Sequence, residues 1–362
     1  MQVIESVFPW NGGDCRLAVL SPYLIPENLR DRKVVNLGDG FIFRAIERLL
    51  GRFAPQRIFS PRVALSVKAQ KVLEDSSAVI LAGANQLNDR YTVWPGLSAE
   101  RIRASRLRMV PFGIGLHGQP GYTDQLSDAT KDVLIAMHER IEFSAWRCPH
   151  TVGYLRRELP QLGPQLLMTG CPVLYDRPLL EGKPFNTGIR RIAVTITDRH
   201  DFWTRESAVI DFVARRFPRS VRYLVLHQNY SPPKLFEQLR YRWLPHAPSQ
   251  LNDYQRLRQF AVRRGFKVVS PRNADACITF YDGIDMHVGS RLHAHLLFLS
   301  RARRSWLVPV DARATGMAEF LGFPLCNPGE LEAALDFDFE IVRAQASEGF
   351  GVMRSFVKTL PQ

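Results

Sequence analysis

Arg291, His293 and His295 crowd into one short run late in the chain, residues 286–300, MHVGSRLHAHLLFLS. A guanidinium grips carboxylate and phosphate with two parallel donors, and an imidazole exchanges a proton near neutral pH. Together they suit a small, highly charged anion and acid–base chemistry on it. Gly289 permits a tight turn, and Ser290 is a good helix N-cap. Leu292, Leu296 and Leu299 then recur at spacings of four and three, the buried stripe of a helix. The polar group therefore stands in a first helical turn, where unused backbone N–H groups and the positive end of the dipole favour negative charge. An ordinary capped helix with a polar first turn would read the same way. Arg291 and His295 share a helical face, whereas His293 points elsewhere unless the first turn is irregular. Either histidine could be the working one. A metal held by His287, His293 and His295 is disfavoured, because no carboxylate or cysteine stands beside them at ligand spacing.

Other positions fall where a folded chain would bring them to the same place. Arg313 lies twenty positions after His293 and follows an apolar strand, Ser305–Val310, which returns it to the sheet edge of Arg291. Asn36, Gly38 and Asp39 precede a helix marked by Phe41, Ala45, Ile46 and Leu49; they read as a cap or as a loop reaching a ligand. Gly115 and His117 follow the strand Met109–Ile114, and Arg147 lies just past the strand Ile141–Trp146. Loops at the carboxyl ends of parallel strands are the usual ligand edge. His200, His227, Asp198 and Asp311 sit at similar strand ends and are weaker candidates for a base or an acceptor contact.

The elements that must carry these residues come in two sets. Leu17–Ser21, Ser77–Ala84, Met109–Ile114, Ile141–Trp146 and Gln165–Thr169 read as strands, separated by helical stretches within Ala99–Arg108 and Val152–Glu158. The chain turns loop-like from Tyr175 to Arg191, and the pattern restarts. Arg191–Thr197, Val221–His227, Phe266–Val269 and Ser305–Val310 are strands, with helices at Ser207–Arg216, Leu251–Arg264 and Thr315–Leu321. Ala276–Phe280 is a short strand or a helix end. Continuous apolar strands alternating with helices predict an α/β fold with parallel sheets. Two such sets predict two Rossmann-like domains facing across a cleft. The expected division is 1–178, 179–345 and a helical tail, 346–362, packing back on the first domain.

Composition narrows the partners. The 362 residues are 46% apolar and 23% charged, as in a globular protein, with no apolar run long enough to span a bilayer. The first ten residues lack a basic segment, so a signal peptide is not expected. Five cysteines are scattered without a C-x-x-C spacing, which fits a reducing cytosol and neither zinc nor a disulfide framework. Forty-eight Lys and Arg against 35 Asp and Glu leave a formal charge of +13, which attracts anionic partners. The basic runs Arg101–Arg108 and Arg301–Arg304 have no interleaved aromatics, so nucleic acid is not the expected partner. Contact with an anionic membrane surface remains open.

The motifs resemble those of the polysaccharide pyruvyl transferases. That family carries an early Asn-x-Gly-Asp, matched by Asn36–Leu37–Gly38–Asp39, and a late Gly-x-Arg-Leu-His-Ala, matched by Gly289–Ser290–Arg291–Leu292–His293–Ala294. Weaker matches are Gly83–Ala84, Gly113–Ile114–Gly115, Arg147 and Arg313. The resemblance runs roughly from Asn36 to Phe323 and implies a GT-B-like architecture. It implies transfer of the enolpyruvyl group of phosphoenolpyruvate onto two hydroxyls of a glycan or lipid-linked saccharide, giving a pyruvate ketal. The implied setting is cytoplasmic, with room for peripheral contact at the inner face of the membrane, and no cofactor or metal is required beyond the donor substrate. His293 and Arg291 take catalytic roles. Arg291, Leu292, His293, Arg313, Arg147, Asn36, Gly38, Asp39, Gly115 and His117 take binding roles. The chain departs from the pattern at Ala84, at Cys148 after Arg147, and at Gly170–Cys171–Pro172, which leaves the acceptor open. Rival readings are a GT-B glycosyltransferase using a nucleotide sugar, a basic anion-binding module without catalysis, and a related enzyme of small-molecule biosynthesis.

Overall fold

The computed structural model describes residues 17–24, 36–117, 125–197, 202–227 and 249–361. Asp198 and His200 lie outside these residues.

The first half builds strands β1 (Leu17–Leu20), β2 (Ile58–Phe59), β3 (Ala78–Ala82), β4 (Asn85–Leu87), β5 (Met109–Leu116), β6 (Ser144–Trp146) and β7 (Leu166–Met168). Its helices are α1 (Leu37–Leu50), α2 (Val67–Glu74), α3 (Ala99–Ala104), α4 (Asp128–His138), α5 (Pro149–Glu158) and the short α6 (Arg177–Leu180). The sheet runs β2-β1-β3-β5-β6-β7, all parallel, with β4 beside the end of β5. β1 and β3 are buried along their whole length, as strands covered by helices on both faces must be.

The second half adds β8 (Arg191–Thr195), α7 (Trp203–Arg216), β9 (Val221–Val225), α8 (Ser249–Arg263), β10 (Lys267–Val269), α9 (Ala274–Asp282), β11 (Met286–Gly289), α10 (Leu292–Ser300), β12 (Ser305–Leu307), α11 (Ala312–Leu321), α12 (Leu331–Ala334) and α13 (Glu340–Lys358). Its parallel sheet is ordered β10-β9-β8-β11-β12. The order reverses between β8 and β11, and crevices at such reversals are where ligands bind in open α/β sheets. The fold is therefore α/β, with two Rossmann-like domains facing across a cleft in the GT-B-like manner.

Two expectations need correction, and one open alternative resolves to helix. Met286–Gly289, read as a lead-in to the helix, is the central strand β11, paired with β8 on one side and β12 on the other. Its apolar pattern is broken by His287, which the interior accommodates through Thr195 Oγ1 and Ser305 Oγ, each 2.8 Å away. Ala276–Phe280 lies wholly inside α9, capped by Asn273. The division expected between 345 and 346 falls inside one continuous helix, α13.

The two halves share a core. α1 packs on α9 and α10, and Arg44 reaches across to Asp275 with two 2.7 Å bonds. Helix α13 crosses from the second half to β6 and β7, where Phe356 meets Phe112 and Phe350 meets Tyr175. Fully burying one such aromatic contributes about 1.5–3 kcal/mol.

At the sheet reversal, Gly289 has φ 149°, and a Cβ there would stand 2.1 Å from the Thr195 carbonyl oxygen. No side-chain adjustment relieves a clash with backbone in the next strand. Gly289→Ala is expected to cost more than about 3 kcal/mol. Chemical denaturation checks it, and an unchanged midpoint would show that the two strands separate easily.

Candidate anion-binding site

The site starts from the ends of β8 and β11. Gly289 brings the β11 backbone against Thr195, whose Oγ1 accepts from the Arg291 N–H at 3.3 Å. Helix α10 begins at Leu292, with Arg291 at the N-cap and no side chain satisfying its first turn. The expectation that Ser290 caps this helix is not met. Its hydroxyl donates to Glu206 Oε1 at 2.7 Å, and that bond to α7 fixes where the side chain points. Arg291 Nε donates to the Ile196 carbonyl at 2.8 Å, which sets the direction of the guanidinium.

Opposite stands the first turn of α1. Asn36 caps it, its Oδ1 accepting from Gly38 N–H at 3.1 Å while Nδ2 donates to Asp39 Oδ1 at 3.2 Å. A Cβ on residue 38 would fall 2.6 Å from His293 Nδ1, and one on residue 40 would fall 2.5 Å from Ala274 Cβ. The glycines therefore let α1 lie directly against the first turns of α10 and α9. Leu37 N–H donates to the His227 carbonyl at 3.3 Å, a further tie between the halves.

The third wall is the first turn of α11. Asp311 caps it and also accepts from Arg313 Nε at 2.9 and 3.0 Å and from Nη2 at 2.6 Å. The Arg313 guanidinium, expected to meet the ligand, is oriented by this two-pronged grip.

These elements enclose a cavity of about 190 Å³ lined by Asn36 and Gly38 from the first half and by Thr197, His227, Ser290, Arg291, Leu292, His293, Val310 and Arg313 from the second. Three helix N-termini converge there, and their aligned N–H groups favour an anion. Among the expected site residues, Asn36, Gly38, Arg291, Leu292, His293 and Arg313 come together.

His293 is buried, and its Nε2 has no hydrogen-bond partner among the described residues. Burial, reinforced by Arg147, Arg313, His227 and Arg291, holds its pKa well below the ordinary value, so the ring is neutral near pH 7. His295 does not line the cavity, although its buried Nε2 also lacks a partner among the described residues. It faces the interior, with Nδ1 2.8 Å from Ser305 Oγ and its ring against Phe323. His287 and His295 thus share one hydroxyl, and among the described residues no three His, Cys, Asp or Glu side chains gather to hold a metal.

Asp39 stands beside the cavity rather than in its lining. Burial pushes its carboxyl above the ordinary range, against the pull of Arg62, Arg313 and Arg147. Gly115 and Arg147 line a second cleft of about 410 Å³, between α5 and α11, together with Cys148, His150, Tyr154, Arg157 and Glu319. Arg313 lines both spaces. Arg147 is buried with no ion pair among the described residues. Its Nε and Nη2 donate to the Gly113 carbonyl at 3.2 Å, and Nη1 donates to Asn85 Oδ1 at 2.7 Å. The carbonyl is available because Gly113, at φ 71°, sits where the register between β5 and β6 shifts. His117 lines neither space; it is exposed, near the Asn85 carbonyl.

Sequence reasoning passed over Thr197 and Glu206. Thr197 carried a signal, being a polar residue just beyond an apolar strand. Glu206 did not, because an acidic residue in a first helical turn reads as a simple dipole partner. His227, weighed as a loop histidine, lines the cavity, with Nε2 2.6 Å from the Tyr281 hydroxyl.

No family model matches the sequence, and no curated protein matches it. Among solved structures, the UDP-GlcNAc 2-epimerase of Methanocaldococcus jannaschii, in complex with UDP-GlcNAc and UDP, is similar with a TM-score of 0.47 and 10% identity, over 87% of this chain and 88% of that one. S. aureus MnaA, in a co-structure with UDP, gives a TM-score of 0.47 and 10% identity over 92% and 90%. The wall teichoic acid polymerase TagF gives 0.38 and 11% over 95% and 84%. Likeness at this level carries no conclusion about activity.

The two histidines should separate cleanly. His295→Ala is expected to lower stability by about 2–4 kcal/mol through lost packing, with anion affinity retained. His293→Ala should lower anion affinity with a smaller stability change. Thermal unfolding and calorimetric titration with phosphoenolpyruvate read the two effects, and a reversed pattern would return His295 to the site.

Proposed function

We propose that this chain is a pyruvyltransferase that moves the enolpyruvyl group of phosphoenolpyruvate onto two hydroxyls of a sugar. The observation that carries the reading is the small polar cavity in which Arg291, Arg313 and the unpartnered Nε2 of His293 meet the first turns of α1, α10 and α11. Its volume of about 190 Å³ lies below the ~300–1,000 Å³ typical of pockets for drug-sized ligands, which favours a three-carbon phosphorylated acid. The larger cleft at Arg147 and Tyr154 is the natural seat for the acceptor, next to the donor across Arg313.

The chemistry follows from these roles. One acceptor hydroxyl oxygen bonds to C2 of the donor, and neutral His293 takes its proton. The methylene carbon gains a proton and becomes a methyl group. The bond from C2 to the phosphate oxygen breaks, and the second hydroxyl oxygen closes the ketal. The two hydroxyl protons are accounted for by the new methyl group and the released hydrogen phosphate. Arg291, Arg313 and the N–H groups of Leu292 and His293 meet the negative charge that gathers on carboxylate and phosphate. The acceptor in this reading is a glycan or lipid-linked saccharide, and the setting is the cytoplasm or the inner membrane face. Among the described residues no helix is long and apolar enough to cross a membrane.

Incubation with phosphoenolpyruvate and candidate glycans should yield a pyruvylated acceptor and an equal amount of phosphate. Arg291→Ala should lower kcat/KM by about 100-fold or more. A histidine whose pKa is depressed stays neutral as pH falls through the ordinary value of about 6.5. Once the donor phosphate's own ionisation near pH ~6 is allowed for, kcat/KM should therefore show no enzyme-derived loss centred there. Binding of UDP without phosphate release from phosphoenolpyruvate would favour a nucleotide-sugar glycosyltransferase instead.

A further inference from the structure

Glu206 projects from the first turn of α7 toward the reversal between β8 and β11. It is completely buried. Its Oε1 accepts from the Thr197 N–H at 3.1 Å and from Ser290 Oγ at 2.7 Å. Thr197 and Ser290 follow different strands, and both line the anion cavity. One carboxyl oxygen therefore fastens two walls of the cavity to each other. The second oxygen, Oε2, is buried and has no partner among the described residues.

That asymmetry bears on charge. An ionised carboxylate needs donors on both oxygens, and a buried one without them is strongly disfavoured. A negative charge here would also stand directly behind two residues that line a space for an anion. We propose that Glu206 is a positioning residue of this cavity, tying Thr197 and Ser290 together as a neutral carboxylic acid, so that an anionic donor meets no negative charge behind that wall. Among the described residues, the charged groups acting on Glu206 are Arg205, on its own helix, and Arg291, from the turn before α10. Both favour ionisation, as do its two hydrogen bonds, yet burial outweighs them and raises its pKa above the ordinary value.

The inference rests on the anion-site reading, and it extends that reading by linking donor affinity to one proton. Deprotonation of Glu206 as pH rises would place a negative charge behind the cavity, so affinity for an anion should fall in alkaline solution. Glu206→Gln keeps an Oε1 acceptor and removes the titration. Glu206→Ala removes the tie altogether.

Calorimetric titration of the whole chain with phosphoenolpyruvate, and in parallel with UDP, tests this. The ligand that wild type binds is carried through the variants. At pH 7 the Gln variant should bind within about threefold of wild type, and the Ala variant about tenfold more weakly. As pH rises through the range in which Glu206 loses its proton, the affinity of wild type should fall more than that of the Gln variant. A wild-type spectrum minus the Gln spectrum should also show a buried carboxylic-acid C=O stretch in the infrared at pH 7. Ser290→Ala, which leaves the carboxyl group in place, gives a second route if the Ala variant does not fold; it too should weaken binding. Glu206 is overturned as proposed if the Gln variant binds tenfold more weakly than wild type at pH 7, if the infrared band is absent, or if Ser290→Ala binds like wild type. Binding of UDP with refusal of phosphoenolpyruvate removes the pyruvyl reading and leaves the Glu206 comparison intact. Binding of neither removes the cavity as an anion site, and this inference with it.

Discussion

His293 Nδ1 lies where a Cβ on residue 38 would come within 2.6 Å, so the first turn of α1 can approach the first turn of α10 only if position 38 has no side chain. Most of the cleft depends on that approach. It brings Asn36 to the cavity wall, hands the Leu37 N–H to the carbonyl of His227, and closes one side of the space around the His293 ring. Gly40 does the same against α9, and Gly316 on α11 does it against Cys148 at the start of α5, where a Cβ would meet Sγ at 2.7 Å. The two Rossmann-like halves thus touch closely where helices carry glycine in place of a side chain. Close contact there shapes the cleft by excluding bulk, with no dedicated linker element needed.

Charge in the cleft is arranged with equal economy. Arg291 is aimed by a backbone carbonyl, Arg147 by the Gly113 carbonyl and an amide, and Arg313 by the carboxylate of Asp311. Two of these three guanidinium groups are thus directed by uncharged acceptors, which orient without cancelling their charge. The other nearby carboxyl groups, Asp39 and Glu206, are both driven toward the neutral acid by burial. Neighbouring imidazoles are held neutral by the same cause, and His227 and His293 add no positive charge of their own. The resulting space is positive through guanidinium groups and helix N-termini, and it keeps a neutral base at its edge.

Much of this was legible in the amino-acid sequence. Apolar runs at Ala78–Ala82 and Arg191–Thr195 announced parallel strands, and the restart after residue 190 announced a second domain. The convergence of Asn36, Arg291, His293 and Arg313 follows from each lying at a strand end or helix start on the same sheet edge. What stayed hidden depended on direction and depth. Helical spacing put His295 with Arg291, but a helix whose nine residues are all buried has no solvent face, so spacing could not say which imidazole looked into the cleft. Ser290 looked like a cap because the partner that holds its hydroxyl, Glu206, lies 84 positions away in the chain. His117 failed because exposure is set by what packs over a strand end, which one strand cannot reveal. Strand β11 was missed because a buried histidine interrupts its apolar pattern.

The proposed donor, a phosphate-bearing acid, would sit among the first turns of α1, α10 and α11. A crystal structure with phosphoenolpyruvate tests this most directly. The account predicts phosphate and carboxylate density within hydrogen-bond reach of Arg291, Arg313 and the N–H groups of Leu292 and His293, with the donor's C2 facing the cleft at Arg147. Density for the ligand elsewhere on the molecule, with this cavity empty, would contradict it.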